Sequence, residues 1–459
     1  MKLDYLFNDR HFYTQLFKLA LPITLQNLVI SSLNLVDTIM IGGLGESAIA
    51  GVGLANQYYF LLNLLLFGIV SGSSIFTAQY WGSKDIANIR RVLGICILTG
   101  GSGAALFTLG GVLFPKEILG IFSKDQDVII LANSYLRVIL FSYVVTAVSF
   151  AYSFSLRSIG EVKTPLVVSI IALGTNTILN YLLIYGKLGF PEMGVAGAAV
   201  ATVISRCLEL AILLFSVYSK NKVLAASFSE LFAPSGYFIK QFFKVTLPVI
   251  LNESMWGLGM TLYAIAFARM GTDAFASTNI SGTVEKIVWV IFFGVGNACA
   301  VMIGNKIGSG DKNEVFLYAK RFAIIGPAAA LAMGFIVIML SPWVLLPYKV
   351  SPQVLQYAQY NLIAFCLFIW AKVFNYINVV GILRSGGDTT FCLLLDTGGV
   401  WLIGIPIAFI GGLVLHLPIY IVYGLVQIEE IVKLIIGIPR LVSKKWINDL
   451  TVESGKLPG

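Results

Sequence analysis

Asp37 is an acid inside an apolar stretch of sequence. A carboxylate in that setting is costly unless it faces a bundle interior or a wet cavity, where it can bind a proton or a small cation. The residues around it are polar at helical spacing: Asn27, Ser31, Asn34 and Thr38 follow one another at steps of four, three and four, one face of a helix. Asn176 and Asn180, spaced i,i+4, and Thr202, which follows the small-residue run Gly197 to Ala201, add further oxygens. With Asp37 they offer one negative charge and several neutral oxygens, a set suited to a hard monovalent cation. Ordinary hydrogen bonding between helices is the alternative reading of the amides and the threonine. A second set lies later in the chain: Glu253, Glu285, Lys286, Lys372, Asp396, Glu429 and Glu430. Lys372, Asn375 and Asn378 fall three apart and share a face. A buried lysine needs an acid partner or loses its proton, and Glu253 or Glu285 can serve. The pair is then either a charge switch or a static ion pair. Glu429 and Lys433, at i,i+4, read as a structural pair.

The rest of the sequence narrows the chemistry. Two histidines, His11 and His416, are far apart, and five cysteines (Cys96, Cys207, Cys299, Cys366, Cys392) are scattered through apolar runs without metal-ligand spacing. No phosphate-cradling glycine loop and no nucleophile elbow is found. The sequence therefore implies no enzyme, no cofactor and no metal beyond a possible sodium ion at Asp37.

The elements that position these residues are membrane helices. Hydrophobic residues make up 58% of the 459 and charged residues only 12%, about half the charge of a soluble domain. A helical span takes roughly 20 apolar residues, and such runs fall at 17–41, 48–77, 92–114, 129–156, 165–186, 194–218, 244–269, 279–304, 322–346, 355–383, 391–415 and 418–438, twelve in all. Counting about 1.5 Å per residue from Phe17 places Asp37 roughly 30 Å along the first helix, in its outer part. Lys and Arg concentrate on the side that holds both termini, at Lys2, Arg10, Lys84, Arg90, Arg91 and most of the rest. The other side carries only Lys116, Lys124, Lys187, Arg269 and Lys349. Both termini are therefore expected in the cytoplasm. This bias accounts for the net charge of +8, and no basic patch interleaved with aromatics suggests nucleic acid. Residues 1–16 show no cleavable signal and read as a cytoplasmic segment.

The chain is internally duplicated. Residues 17–85 align without a gap on 243–311, an offset of 226, and Leu156-Arg157-Ser158-Ile159-Gly160 matches Leu383-Arg384-Ser385-Gly386-Gly387 at 227. FKLALPITL at 17–25 meets FKVTLPVIL at 243–251, and Gly82-Ser83-Lys84-Asp85 meets Gly308-Ser309-Gly310-Asp311. Six spans per copy is an even number, so the halves are parallel repeats, an arrangement used by transporters that rock around a central cavity. The expected organisation is an N-terminal lobe at 17–218, a cytoplasmic linker at 219–243 that is partly an amphipathic surface helix, a C-terminal lobe at 244–442 and a cytoplasmic tail at 443–459.

These motifs carry a resemblance. The first-span pattern Leu21-Pro22 … Val36-Asp37-Thr38-Ile39-Met40-Ile41-Gly42, the Leu156–Gly160 motif with its echo at 383–387, and Gly194-Val195-Ala196-Gly197-Ala198-Ala199-Val200-Ala201-Thr202 resemble the multidrug and toxic compound extrusion (MATE) family over about 12–447. The resemblance implies an all-helical membrane protein with twelve helices in a V-shaped two-lobed bundle. It also implies export of organic, often cationic, compounds driven by inward sodium ions or protons. Asp37 matches the family's first-helix acid, which binds the coupling ion, and Asn176 and Thr202 match its partners. The chain departs from the pattern at Asn180, where many relatives carry a second acid. It departs again in the tenth helix, where Lys372, Asn375 and Asn378 replace the acid used by one branch. Glu253 lies about a turn nearer Pro248 than in that branch. Lys372 would favour anionic or zwitterionic substrates. A flippase for a lipid-linked precursor is the alternative in the same superfamily, and it calls for more cations in the cavity than Lys286, Lys372, Arg206 and Arg137 supply. A monomer in the plasma membrane is the expected form.

Overall fold

The computed structural model describes residues 9–220, 223–232 and 235–452; Lys2, Lys222, Lys456, residues 1–8 of the expected N-terminal segment and the end of the expected tail lie outside them. Every regular element in the described residues is helical. Among the described residues nine helices are long and apolar enough to cross a bilayer. The bent pair Gln126–Ile139 and Phe141–Ser158, which meet at 51°, supplies the fourth span. The seventh is Gly236–Arg269, and the twelfth is built from Ile419–Val426 and Ile428–Val442. Twelve spans result, in the order expected.

The duplication recurs in the backbone itself. The second and eighth spans, Glu46–Gly82 and Thr272–Gly308, both start after a glycine with positive φ, Gly45 at 106° and Gly271 at 123°. Each ends in the same turn. Lys84 (φ 61°) and Gly310 (φ 85°) occupy matching left-handed positions. Asp85 and Asp311 then cap the third and ninth spans, Ile86–Leu113 and Lys312–Leu345, by accepting from the backbone N–H of Asn88 and Glu314, each at 3.1 Å. Such caps satisfy one of the four orphan donors at a helix start. Gly160 and Gly387 repeat the pattern at 85° and 76°.

Contacts divide the described residues into two compact units. One holds residues up to Thr24 together with those from Leu251; the other holds Leu25–Ile250. The division falls inside the first span, Arg10–Gly42, and inside the seventh, close to their interior prolines Pro22 and Pro248. Residues 17–24 and 244–250, which the sequence groups with their own repeats, therefore pack with the other one. Glycines make room for this exchange. A Cβ on Gly68 would lie 2.6 Å from Ile250 Cα, and its repeat mate Gly294 is pressed in the same way against Thr24, the mate of Ile250. Small residues let membrane helices approach this closely.

The linker differs from the expected surface helix. Its helix is one turn long, Phe228–Leu231, closed by a Ser227–Glu230 capping box. Arg90 of the third span pairs with Glu230 at 2.5 Å and donates to the Val223 carbonyl at 3.0 Å. Gly94 lies against the Leu231 carbonyl, where no side chain fits. From Gly236 onward the chain is already the seventh span.

Candidate functional site

In the unit formed by Leu25–Ile250, Asp37 faces inward between Leu33 and Ile41, which are four residues away on either side and buried. Its Oδ1 accepts from Asn180 Nδ2 at 2.5 Å. The same nitrogen donates to Asn176 Oδ1 at 3.1 Å, Asn176 Nδ2 donates to Thr202 Oγ1 at 3.3 Å, and Thr202 donates to the Ala198 carbonyl at 3.0 Å. Four of the five N-terminal candidates thus form one chain of hydrogen bonds through the first, fifth (Lys163–Tyr185) and sixth (Gly194–Lys220) spans. Asn34 is not part of it. It lies on the exposed stripe with Ser31 and Thr38, because the helical repeat turns that stripe away from the face that Asp37 shares with Leu33 and Ile41.

Backbone packing fixes this geometry. Gly197 lets the sixth span lie against the fifth: a Cβ there would be 2.5 Å from the Leu183 carbonyl oxygen. Tyr185 at the end of the fifth span donates to the Met40 carbonyl at 2.6 Å, a second tie to the first span. Asn176 and Asn180 are fully buried. Asn180 Oδ1 has no hydrogen-bond partner, so the amide beside the carboxylate holds one unused acceptor.

Three further polar residues of this unit, two of them beside the chain, were not singled out as site residues from the sequence. Tyr135 touches Thr202 through its hydroxyl and lies within electrostatic reach of Asp37. Arg206 acts on Asp37 across space and pairs with Glu209 at 2.7 Å. The signal for Arg206 was available, since an i,i+3 ion pair in an otherwise apolar span is unusual. Arg157 is buried and bonds Gln26 Oε1 at 3.1 and 2.6 Å, and Gln26 Nε2 in turn donates to Ser169 at 3.0 Å.

In the other unit the second set of candidates separates into pairs. Glu253 does not meet Lys372; it pairs with buried Arg384 at 2.8 Å. Glu285 accepts from Tyr423. Lys372 forms no ion pair with a described residue and lies 5.7 Å above the Phe365 ring. Asn375 reaches the twelfth span, donating to Glu430 at its carbonyl (2.7 Å) and its carboxylate (2.8 Å). Asn378 is fully buried with neither amide atom bonded. Lys433, expected to pair with Glu429, is nearest to Glu430 at 3.1 Å and also faces Glu429 at 3.8 Å and Asp396 at 4.0 Å. Side-chain spacing along one helix could not disclose Asp396, which comes from the eleventh span.

With this geometry in hand, comparison with known proteins gives a consistent answer. The MatE family profile matches residues 22–182 and 248–410, one stretch in each repeat. A probable multidrug resistance protein NorM of Thermotoga maritima is 26% identical over 402 residues, covering 86% of this chain and 85% of that protein. Multidrug resistance protein PmpM of Pseudomonas aeruginosa is 26% identical over 413 residues, covering 87% and 84%. Among solved structures, a variant of the Vibrio cholerae MATE transporter VcmN superposes with a TM-score of 0.86 at 18% identity, covering 95% of this chain and 98% of that one.

Proposed function

Because the chain belongs to the MatE family, we propose that it is an antiporter in the plasma membrane, exporting amphipathic organic cations by alternating access while protons or sodium ions flow inward. The observation that carries this reading is the Asp37–Asn180–Asn176–Thr202 chain, an acid in a membrane span whose hydrogen bonds connect three helices.

The chain gives a way for ion binding to alter packing. Ionised Asp37 accepts the Asn180 N–H. Protonated, it becomes a donor and needs an acceptor, which the unpartnered Asn180 Oδ1 provides. A half-turn of that amide presents Oδ1 to Asp37 and withdraws Nδ2 from Asn176, which frees the Asn176 amide to reorient and so alters its bond to Thr202 on the sixth span. An ion that favours one arrangement in this way has the differential affinity that a transport cycle requires. The protein acts as a monomer with both termini cytoplasmic in this reading. The flippase alternative is not favoured, since Arg206 and Arg384 are paired with acids and few cations are left to hold an anionic headgroup.

The test is accumulation of a fluorescent cationic dye in cells lacking their own exporters, with intact protein, Asp37→Asn and empty vector at matched membrane expression. Intact protein should lower dye, and Asp37→Asn should not. Equal dye in all three strains refutes export of such cations, and dependence on external sodium at constant pH refutes the proton.

A further inference from the structure

The two halves are related by offsets of 226 in the first spans and 227 later, and these offsets connect the polar groups of one unit to those of the other. Gln26 and Ser169, bonded at 3.0 Å, map onto Asn252 and Asp396, bonded at 3.2 Å. Asp37 maps onto Tyr263, Thr202 onto Glu429 and Arg206 onto Lys433. Tyr263 donates to Glu429 Oε2 at 2.7 Å. The acid that stands on the first span of one unit has its counterpart on the last span of the other, and in both units a basic residue lies four positions beyond the last-span position, Arg206 after Thr202 and Lys433 after Glu429.

The charges of this second site do not balance. Glu253 is matched by Arg384, and Lys372 acts across space on Glu285. The remaining acids, Glu429, Glu430 and Asp396, gather around Lys433, with Lys372 also acting on both glutamates and Arg384 on Asp396; taken together, the five acids Glu253, Glu285, Asp396, Glu429 and Glu430 face the three bases Arg384, Lys372 and Lys433, an excess of two negative charges in a buried setting. Buried charge of one sign is costly and is relieved by taking up a proton or a cation. The amides around it also lack donors. Asn375, which bonds Glu430, and Asn252, which bonds Asp396, each leave a buried Oδ1 unpartnered, and both are 3% exposed. Asn378, with both amide atoms free, lies against Gly437, one turn beyond Lys433. The backbone is adapted to this cluster as well. π-helical turns at Ile377–Leu383 and Val400–Gly404 adjoin it, Gly404 lies against Tyr263 and Glu429, and a Cβ on Gly399 would be 2.8 Å from Lys433 Cδ. Such turns concentrate at functional sites.

We propose that Glu429, Glu430 and Asp396, gathered around Lys433, form a proton-binding site of their own, separate from Asp37 and related to it by the internal repeat. Lys433 occupies the centre that a metal ion would take, and among the described residues no three His, Cys, Asp or Glu side chains are arranged to hold one. The groups facing the cluster are Lys372 and Asn375 from the tenth span, Glu285 from the eighth, Tyr263 and Asn252 from the seventh, and Arg384 after the tenth. The proposal goes beyond the export reading and does not depend on it, because proton uptake is measured without transport.

The test uses the full chain in lipid nanodiscs with Asp37→Asn as background. Infrared difference spectra between acid and alkaline pH are recorded in water and in heavy water. The expected result is an isotope-sensitive band of a protonated buried carboxyl in Asp37→Asn. It should persist when Glu285→Gln is added and disappear in Glu429→Gln/Glu430→Gln, which leaves Asp396 and Lys433 as a neutral pair. Should that variant not fold, Lys433→Met is the second arm: without the ammonium, the band must extend to more alkaline pH. Absence of the band in Asp37→Asn, its survival unchanged in the double variant, its failure to move in Lys433→Met, or its removal by sodium at constant ionic strength each overturns the proposal.

Discussion

Gly197→Ala tests whether helix packing sets the geometry around Asp37. The new Cβ would meet the Leu183 carbonyl oxygen at 2.5 Å and its carbon at 2.7 Å. Comfortable contact begins near 3.3 Å, so the fifth and sixth spans must part by roughly 0.8 Å. The obstructing atoms are backbone, so no rotamer change relieves them. The Asn176–Thr202 bond joins the same two spans and is already 3.3 Å long, at the limit for a useful hydrogen bond. Overpacking costs about 1–3 kcal/mol and a lost buried hydrogen bond about 1 kcal/mol more, giving a loss of roughly 2–4 kcal/mol. The control is Gly53→Ala in the second span, where nothing lies within 4 Å of the added Cβ. That change should stabilise by about 0.5–1 kcal/mol, since alanine is the better helix residue. Thermal unfolding of purified protein and dye efflux would be measured on both variants. Gly197→Ala should melt earlier and lose efflux, while Gly53→Ala should do neither. If the two variants melt and transport alike, close packing of these spans does not position the site.

Other outcomes follow from single contacts. Glu253→Gln keeps a side-chain oxygen for Arg384, as Gln26 supplies one to Arg157, so it should cost clearly less than Glu253→Leu, for which about 3–5 kcal/mol is expected on removing the acid of a buried ion pair; equal melting temperatures would refute this. Lys84→Gly should stabilise by about 1 kcal/mol by relieving a left-handed lysine, and Gly310→Lys should lose a similar amount, both read by thermal melts. The Phe12 backbone amide, together with Arg321, holds the Asp9 carboxyl below its usual range. Its contribution is therefore complete at neutral pH and lost as pH falls through that lowered value, below about 4. The melting difference between intact protein and Asp9→Asn should be level from neutral to mildly acidic pH and close only below that, and a gap that instead opens on acidification would have the wrong sign.

Much of this was legible in the sequence because it depends on one helix at a time. Apolar runs of bilayer length gave the spans. Matching runs at 82–85 and 308–311 marked the repeated turn, though not the left-handed backbone at Lys84 and Gly310. Polar residues four apart placed Asn176 and Asn180 together toward a neighbour. Spacing does not say which neighbour. Asn34 sits three residues from Asp37, yet it falls on the exposed stripe. Lys372 has candidate acids within the same lobe, yet Glu253 goes to Arg384 and Glu285 to Tyr423. These choices are made by the crossing of helices far apart in sequence. The exchange of the first-span and seventh-span ends is likewise a packing outcome, visible beforehand only as a pair of glycines, Gly68 and Gly294, at the repeat offset.

The repeat also explains why the charges differ between units that share a backbone. A duplicated scaffold supplies the same slots twice: a first-span position, a last-span position linked to it by hydrogen bonds, and a basic residue four beyond the latter. In one copy the acid occupies the first slot, as Asp37, and the last-span slot holds the neutral Thr202. In the other copy the first slot holds Tyr263 and the acid is Glu429, with Tyr263 donating to it. Each copy keeps one acid across that helix contact and gives it a hydrogen-bond donor. Acids at both slots would add like charge to a poorly solvated contact, and the basic residue does not depend on either slot alone, since Arg206 also holds Glu209 and Lys433 also holds Glu430. The constraint is thus on the sum of charge at the contact rather than on the identity of either residue. Exchanging residues across one contact should therefore be tolerated where single replacements are not: Tyr263→Glu with Glu429→Thr places the acid of the C-terminal unit where its counterpart Asp37 stands. That double variant should recover most of the melting temperature lost by Glu429→Thr alone. No recovery would mean that each unit requires its own acid in its own place.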